Sequence, residues 1–201
     1  RFLYSSDEEA KAPALKPEKG ERAVSAEFTH WAKTNVVQQR QEGYCLVYVK
    51  VPLGDISDNQ FRALADMTRR YTAGEMRTTV EQNLAFRWVP ETMLYNLWND
   101  LVKIGLGESG VHEITDVTAC PGTDSCKLGI TSSMGLGKAV GDTLREMEID
   151  DPLMKDLHVK ISGCPNGCGR HHVANIGFHG AAYKGEGGPN HVPAYEFFLG
   201  G

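Results

Sequence analysis

The sequence lacks a long apolar run and an excess of positive charge. Of its 201 residues, 21 are Lys or Arg and 26 are Asp or Glu, which gives a formal net charge of −5. Nucleic-acid-binding domains usually have an excess of basic residues, and this composition has no such excess. No apolar stretch approaches the roughly 18 residues of a membrane-spanning helix, and the N-terminus lacks the layout of a signal peptide. We therefore expect a cytoplasmic protein that binds neither nucleic acid nor membrane.

Cysteine is scarce and odd in number, which disfavours a disulfide framework. The chain has five cysteines, and a secreted disulfide scaffold usually has an even number. Cys45 lies in the alternating apolar run 44–51. A buried cysteine in a strand is therefore a better interpretation of Cys45 than a metal ligand.

The other four cysteines form two pairs, each in a loop rich in glycine and proline. The first loop, 118–126, reads Thr-Ala-Cys-Pro-Gly-Thr-Asp-Ser-Cys, and the second, 160–170, reads Lys-Ile-Ser-Gly-Cys-Pro-Asn-Gly-Cys-Gly-Arg. Four thiolates from two such loops can hold one iron–sulfur cluster. A structural zinc ion is the alternative, but its paired ligands are usually separated by about two to four residues. The upstream pair has five intervening residues, so the spacing favours iron–sulfur.

The hydrophobic pattern predicts an α+β chain in three parts. Residues 1–40 are predicted to be an N-terminal surface segment or linker that holds a short helix after Ser25. Residues 41–110 are the second part, and together with the strand that follows them they show the order β-α-β-β-α-β, which is typical of a ferredoxin-like antiparallel sheet with helices on one face. The predicted elements are a strand over 44–51, a helix from a Ser57–Gln60 capping box to Tyr71, strands over 75–80 and 84–88, a helix from Pro90 to Gly105, and a strand over 112–118.

Residues 111–201 are predicted to combine strands with one glycine-rich helix over 134–147. Glycine disfavours a helix by about 1 kcal/mol relative to alanine. The glycines of this helix therefore indicate either close packing, with a flat cofactor as one possible neighbour, or a loosely formed start of the helix. Strands are predicted over 157–161, 175–182 and 194–199.

Two separate motifs carry a resemblance to a known family. The pattern Cys-x5-Cys followed by Cys-Pro-Asn-Gly-Cys-Gly-Arg resembles the cluster domain of sirohaem-containing nitrite and sulfite reductases. The segments 51–66 and 74–83 resemble the ferredoxin-like half-domain of that family. The resemblance covers about residues 35–201 and implies a ferredoxin-like β-α-β-β-α half-domain over 41–110, followed by an α+β nitrite/sulfite reductase 4Fe–4S domain over 111–201.

The resemblance also implies the cofactors and the residues that bind them. Cys168 would serve twice, as a cluster ligand and as the axial ligand of sirohaem iron. Asn166 would lie against sirohaem and Arg170 near the cluster loop, where a simple surface cation is the alternative for Arg170. The neighbouring His171 and His172 are expected to be exposed or hydrogen-bonding and not to bind metal. The implied [4Fe–4S] ligands are Cys120, Cys126, Cys164 and Cys168.

The implied function is electron transfer in the six-electron reduction of sulfite to sulfide or of nitrite to ammonia, with ferredoxin or a flavoprotein as donor. The family's first half supplies most of the cations that bind the substrate anion, and nothing before residue 35 resembles it. The chain is therefore expected to be a cluster-bearing C-terminal half, itself truncated after Gly201, that is inactive without a missing N-terminal half. The alternatives are a stand-alone iron–sulfur electron-transfer protein and an interaction module stabilised by zinc.

Overall fold

The computed structural model describes residues 25–72, 74–185 and 190–200. The predicted N-terminal segment therefore lies outside the described residues up to position 24. The described chain divides into two compact units. The first contains the residues up to Val51 together with Ile56–Ser109, and the second contains Pro52–Asp55 together with the residues from Gly110 onward.

The first unit is an antiparallel sheet with three helices. Its four strands lie in the order β1-β2-β4-β3. They are β1 (Val36–Gln38), β2 (Tyr44–Val49), β3 (Met76–Thr78) and β4 (Leu84–Pro90), and the helices are α1 (Ala26–Asn35), α2 (Asp58–Tyr71) and α3 (Leu94–Lys103). The buried core of the unit includes Trp31, Val47, Val49, Leu64, Tyr71, Phe86, Leu97 and Leu101.

Helix α2 begins at the capping box predicted from the sequence. The Ser57 hydroxyl accepts the Gln60 N–H at 3.3 Å, and the Gln60 side-chain oxygen accepts the Ser57 N–H at 3.0 Å. Two backbone donors that the helix leaves unpaired are thereby satisfied. This local prediction is confirmed in both of its hydrogen bonds.

One predicted strand of this region is wrong. Residues 112–118 do not form a strand of the first sheet, because the chain turns at His112 (φ 65°) and the Asp116 carboxylate accepts the His112 N–H at 2.9 Å. The fourth strand of the sheet is β1, in a segment that reads as polar.

The helix predicted from Pro90 is confirmed as α3, but it starts later than predicted. Pro90 itself ends β4, since the Glu91 N–H still donates to the Gly43 carbonyl at 3.0 Å. A short 3-10 turn over Glu91–Met93 then leads into α3.

The second unit is a mixed sheet packed against one long helix. Strands β5 and β6 pair in parallel, as do β6 and β7, whereas β7 and β8 are antiparallel. The elements are β5 (Thr118–Ala119), α4 (Ser133–Glu146), α5 (Pro152–Lys155), β6 (Val159–Ser162), β7 (Ile176–Lys184) and β8 (His191–Leu199). The buried core of the unit contains Ile114, Val117, Ala119, Val159 and Ile161.

The glycine-rich helix α4 packs closely on the sheet at Gly137. A Cβ atom there would lie 2.7 Å from the Leu53 Cδ2 atom and 3.2 Å from the Ala119 Cβ atom. Both distances are shorter than ordinary van der Waals contact. The neighbour that excludes a side chain at Gly137 is therefore protein, and the packing interpretation needs no flat cofactor at this position.

We expect Gly137→Ala and Gly141→Ala to act in opposite directions on stability. A Cβ atom at Gly141 would meet its nearest neighbours only at 3.5 Å. The Gly141 substitution should therefore raise the free energy of unfolding by about 0.5–1 kcal/mol through helix propensity. Gly137→Ala should lower it by about 1 kcal/mol or more through overpacking. Urea unfolding followed by circular dichroism measures both changes, and an equal gain from both substitutions would contradict the packing argument.

Candidate metal centre

The two cysteine loops start from the same edge of the second sheet. Thr118 and Ala119 of β5 lie beside Lys160 and Ile161 of β6 in parallel register. The carboxyl ends of neighbouring parallel strands meet at one edge, so the loops that follow them are neighbours. Cys120 directly follows β5, and its N–H continues the pairing by donating to the Ile161 carbonyl at 3.1 Å.

Gly163, which separates β6 from Cys164, joins the two loops. Its N–H donates to the Cys120 Sγ atom at 3.1 Å. Its carbonyl accepts the backbone N–H groups of Ile130 at 2.8 Å and of Thr131 at 3.1 Å. A Cβ atom at Gly163 would lie 2.6 Å from the Gly122 Cα atom. Only glycine allows this backbone-to-backbone approach, which brings the loop of Cys164 onto the loop of Cys120.

Ser133, the first residue of α4, contacts Cys120. Its hydroxyl donates to the Cys120 carbonyl at 2.7 Å, and its oxygen lies 3.4 Å from the Cys120 Sγ atom. Both residues are buried. Because that hydroxyl proton is directed to the carbonyl, Ser133 fixes the backbone of Cys120, and the Gly163 N–H is a donor directed at the Cys120 sulfur. A backbone N–H directed at sulfur is the kind of donor found beside the cysteine ligands of iron–sulfur clusters.

The four loop cysteines differ in exposure. Cys120 and Cys164 are 8% and 9% exposed, whereas Cys126 and Cys168 are exposed, and all four are free thiols. A set of this kind presents two sulfurs from the interior and two from the surface. Such a set suits a group held at the surface of the unit.

The two further predicted site residues lie in or beside the second cysteine loop. Asn166 is exposed and Arg170 is half-buried. Arg170 has a left-handed backbone (φ 60°), and its N–H donates to the Gly167 carbonyl at 2.7 Å. This tight turn ends the loop immediately after Cys168.

The adjacent histidines are, as expected, one exposed and one hydrogen-bonding, while the expectation that neither binds metal stays a prediction. His172 is exposed. His171 is buried, and its Nδ1 atom lies 2.9 Å from the Ser162 hydroxyl.

Sequence reasoning missed Ser133, Ser162 and Gly163 as residues of this site, because their loop positions carry no periodicity and their types are common in loops.

No three His, Cys, Asp or Glu side chains in the described part of the chain are grouped in a way that could hold a metal ion. This holds for a zinc ion and for the predicted cluster ligands alike, so the placement of the thiols does not favour one group over the other. The ligand set predicted from the sequence remains a prediction.

Two domain models of one family match the chain in sequence order. The nitrite/sulfite reductase ferredoxin-like half domain matches residues 37–104, and the nitrite and sulphite reductase 4Fe-4S domain matches residues 110–201. The chain belongs to the nitrite and sulfite reductase family. The resemblance and the fold class predicted from the sequence are thereby confirmed. The family match also supports the predicted cofactors, a [4Fe–4S] cluster and sirohaem.

Relatives of this chain include nitrite reductases and sulfite reductases. The ferredoxin–nitrite reductase of Synechococcus elongatus is 29% identical over 182 residues, which are 89% of this chain and 35% of that protein. The ferredoxin-type sulfite reductase of Mycobacterium tuberculosis is 32% identical over 168 residues, 82% of this chain and 30% of that protein. The chain thus spans about a third of the length of these relatives.

Solved structures agree with this fold assignment. The NirA protein of Mycobacterium tuberculosis matches with a TM-score of 0.67 and 26% identity, over 92% of this chain and 33% of that chain. The dissimilatory sulfite reductase I matches with a TM-score of 0.58 and 16% identity, over 71% of this chain and 34% of that chain, and shows the fold alone.

Across the described residues, no helix combines the length and apolar character needed to cross a membrane.

We expect Cys45 to resist thiol reagents that modify Cys126 and Cys168. Burial, with a smaller effect of the Glu91 charge, raises the pKa of Cys45 to about 11. At pH 8 only about one Cys45 thiol in a thousand is therefore ionised. Reaction of the cluster-free chain with Ellman's reagent, followed by mapping of the modified peptides, should find Cys45 labelled only after unfolding. Labelling of Cys45 in the folded chain as fast as Cys126 would contradict this expectation.

Proposed function

We propose that this chain is the cluster-bearing part of a nitrite or sulfite reductase and that its two cysteine loops together hold a [4Fe–4S] cluster. The main support is the Gly163 contact, which joins the two loops and aims an N–H at the Cys120 sulfur. Two loops held in this way start from one edge of the sheet. The proposed cluster ligands are Cys120, Cys126, Cys164 and Cys168.

The donor set fits this group. Thiolates are soft ligands that suit iron–sulfur clusters, and all four thiols are free. Hydrogen bonds to ligand sulfurs raise the reduction potential of such clusters. Gly163 therefore has two proposed roles, as the contact that joins the loops and as a donor that tunes the Cys120 ligand.

Cys168 is the proposed link to sirohaem, because its side chain is exposed at the end of the second loop. The protein would supply ligation and orientation there, while the bound cofactors supply the electron transfer. Asn166 and Arg170 flank Cys168. The proposed roles of these two residues are a contact to sirohaem for Asn166 and a positive charge beside the cluster for Arg170.

Substrate reduction is proposed from the relatives, whose names specify nitrite or sulfite and ferredoxin. Reduction of a small oxyanion needs cations placed where negative charge develops. Because the chain spans about a third of these relatives, we place most of those cations, and the remaining sirohaem contacts, in the rest of the enzyme. A cytoplasmic location stays a prediction. Another relative, the ferredoxin–nitrite reductase of Spinacia oleracea, is named as chloroplastic.

Cysteine substitutions test the cluster assignment. After anaerobic reconstitution with iron and sulfide, the chain should contain about four iron and four sulfide ions and show visible absorption that dithionite bleaches. Serine at any of the four loop cysteines should lower the iron and sulfide content severalfold, because a hydroxyl is a poorer ligand than a thiolate. Cys45→Ser is the matched control and should retain the cluster.

The same experiment separates the alternatives. Loss of iron in Cys45→Ser with full iron content in Cys120→Ser would disprove the ligand set. A colourless chain that binds one zinc ion would favour the interaction module. In the intact reductase, Cys168→Ser should change the sirohaem spectrum together with the cluster signal, and an unaltered sirohaem spectrum in a folded variant would remove the bridging role.

The reconstituted chain by itself should not reduce nitrite or sulfite at a rate comparable to an intact reductase. The assay supplies iron, sulfide, sirohaem and reduced methyl viologen under anaerobic conditions and measures ammonia and sulfide. An intact member of the family is the positive control. Comparable turnover by this chain would place the anion site within these residues and would contradict the proposed division of the enzyme.

A further inference from the structure

A buried serine and a buried histidine meet at the end of the second cysteine loop. Ser162, the last residue of β6, is fully buried, and His171 is 6% exposed. The Gly169 N–H donates to the Ser162 Oγ atom at 3.0 Å, and the His171 Nδ1 atom lies 2.9 Å from the same oxygen. Gly169 directly follows Cys168, so this contact returns the loop to the strand from which it started.

The direction of these hydrogen bonds follows from the atoms present. Among the described residues, Gly169 and His171 are the hydrogen-bond partners of the Ser162 hydroxyl. Because Gly169 can only donate its N–H, the hydroxyl proton of Ser162 has His171 Nδ1 as its acceptor. If His171 donated instead, a buried hydroxyl proton would be left without an acceptor, which is unfavourable. His171 is therefore expected to be the neutral tautomer that carries its proton on Nε2.

The surroundings of His171 favour the neutral form. Its ring centroid lies 4.8 Å from that of His179 on β7 and 5.4 Å from that of Phe198 on β8, and His172 lies at 5.3 Å. Burial, with smaller effects of His179 and His172, lowers the pKa of His171 from its ordinary value. The Glu196 carboxylate lies 3.3 Å from the His179 Nε2 atom.

We propose that His171 and Ser162 are positioning residues for the second cysteine loop, in which neutral His171 accepts the Ser162 hydroxyl proton and thereby orients Ser162 to hold the Gly169 N–H. The start of the loop is held separately by Gly163. The start of the segment that carries Cys164 and Cys168 is thus held on the first cysteine loop, and its end is held on the last residue of β6. The consequence for Cys168 as a ligand rests on the proposed function, whereas the hydrogen-bond relay itself does not.

The test uses the cluster-free chain and a matched pair of substitutions. The side-chain oxygen of asparagine can reach the position of His171 Nδ1, whereas glutamine reaches that of Nε2. His171→Asn should therefore keep the Gly169 amide near its original hydrogen-exchange rate. His171→Gln should accelerate that exchange about five- to tenfold, the effect of losing one hydrogen bond of ordinary strength. Nuclear magnetic resonance measures this exchange residue by residue.

Two further measurements separate a positioning role from simple packing. The 15N shifts of the His171 ring should show an unprotonated Nδ1 atom at pH 7 in the unaltered chain. In a Ser162→Ala background, His171→Gln should add no further acceleration at Gly169, because the relay acts through the serine hydroxyl.

Each contrary result overturns the proposal. A protonated Nδ1 atom would reverse the proposed hydrogen bond. Equal Gly169 exchange in His171→Asn and His171→Gln would remove the requirement for an acceptor at Nδ1. Faster exchange spread evenly over β7 and β8 in His171→Gln would identify His171 as a residue that only fills the core.

Discussion

The parallel pairing of β5 with β6 is the constraint on which the candidate metal centre depends. It places Cys120 and Gly163 at one edge of the sheet, and the Gly163 N–H then reaches the Cys120 sulfur. Strand pairing is set by backbone hydrogen bonds and by burial of Val159 and Ile161 in the core of the second unit. The geometry of the cysteine loops is therefore maintained by the sheet, and the loops need little internal regular structure.

Polar groups buried at this edge are paired, and the pairing makes the site rigid. The Gly163 carbonyl accepts three donors, the two backbone N–H groups of Ile130 and Thr131 and the Thr131 hydroxyl. Ser133 and Ser162 each bind backbone atoms of a cysteine loop. Because an unpaired buried polar group is costly, these contacts hold the loops in one arrangement. Loops that are already held in one arrangement lose less conformational entropy when they bind a ligand.

Local signals of the sequence were sufficient for part of the fold. The Ser57–Gln60 capping box and the alternating strand around Cys45 depend on neighbouring residues, and both were predicted correctly. The error at residues 112–118 has a local cause of another kind. His112 and Asp116 form a turn held by a side-chain hydrogen bond, which period-two alternation does not reveal. Strand β1 was missed because it is only three residues long and leads into a run of polar residues.

The sequence by itself determined the family, the fold class and the positions of the four loop cysteines, because cysteine type and spacing are readable without coordinates. Only the tertiary structure decided which residues support those loops. Ser162 and Gly169 lie seven positions apart, and Gly163 and Cys120 lie 43 apart, so their contacts exist only once β5, β6 and the loops have assembled. Close approach and hydrogen-bond direction are properties of distance and angle, and an amino-acid pattern along the chain contains neither.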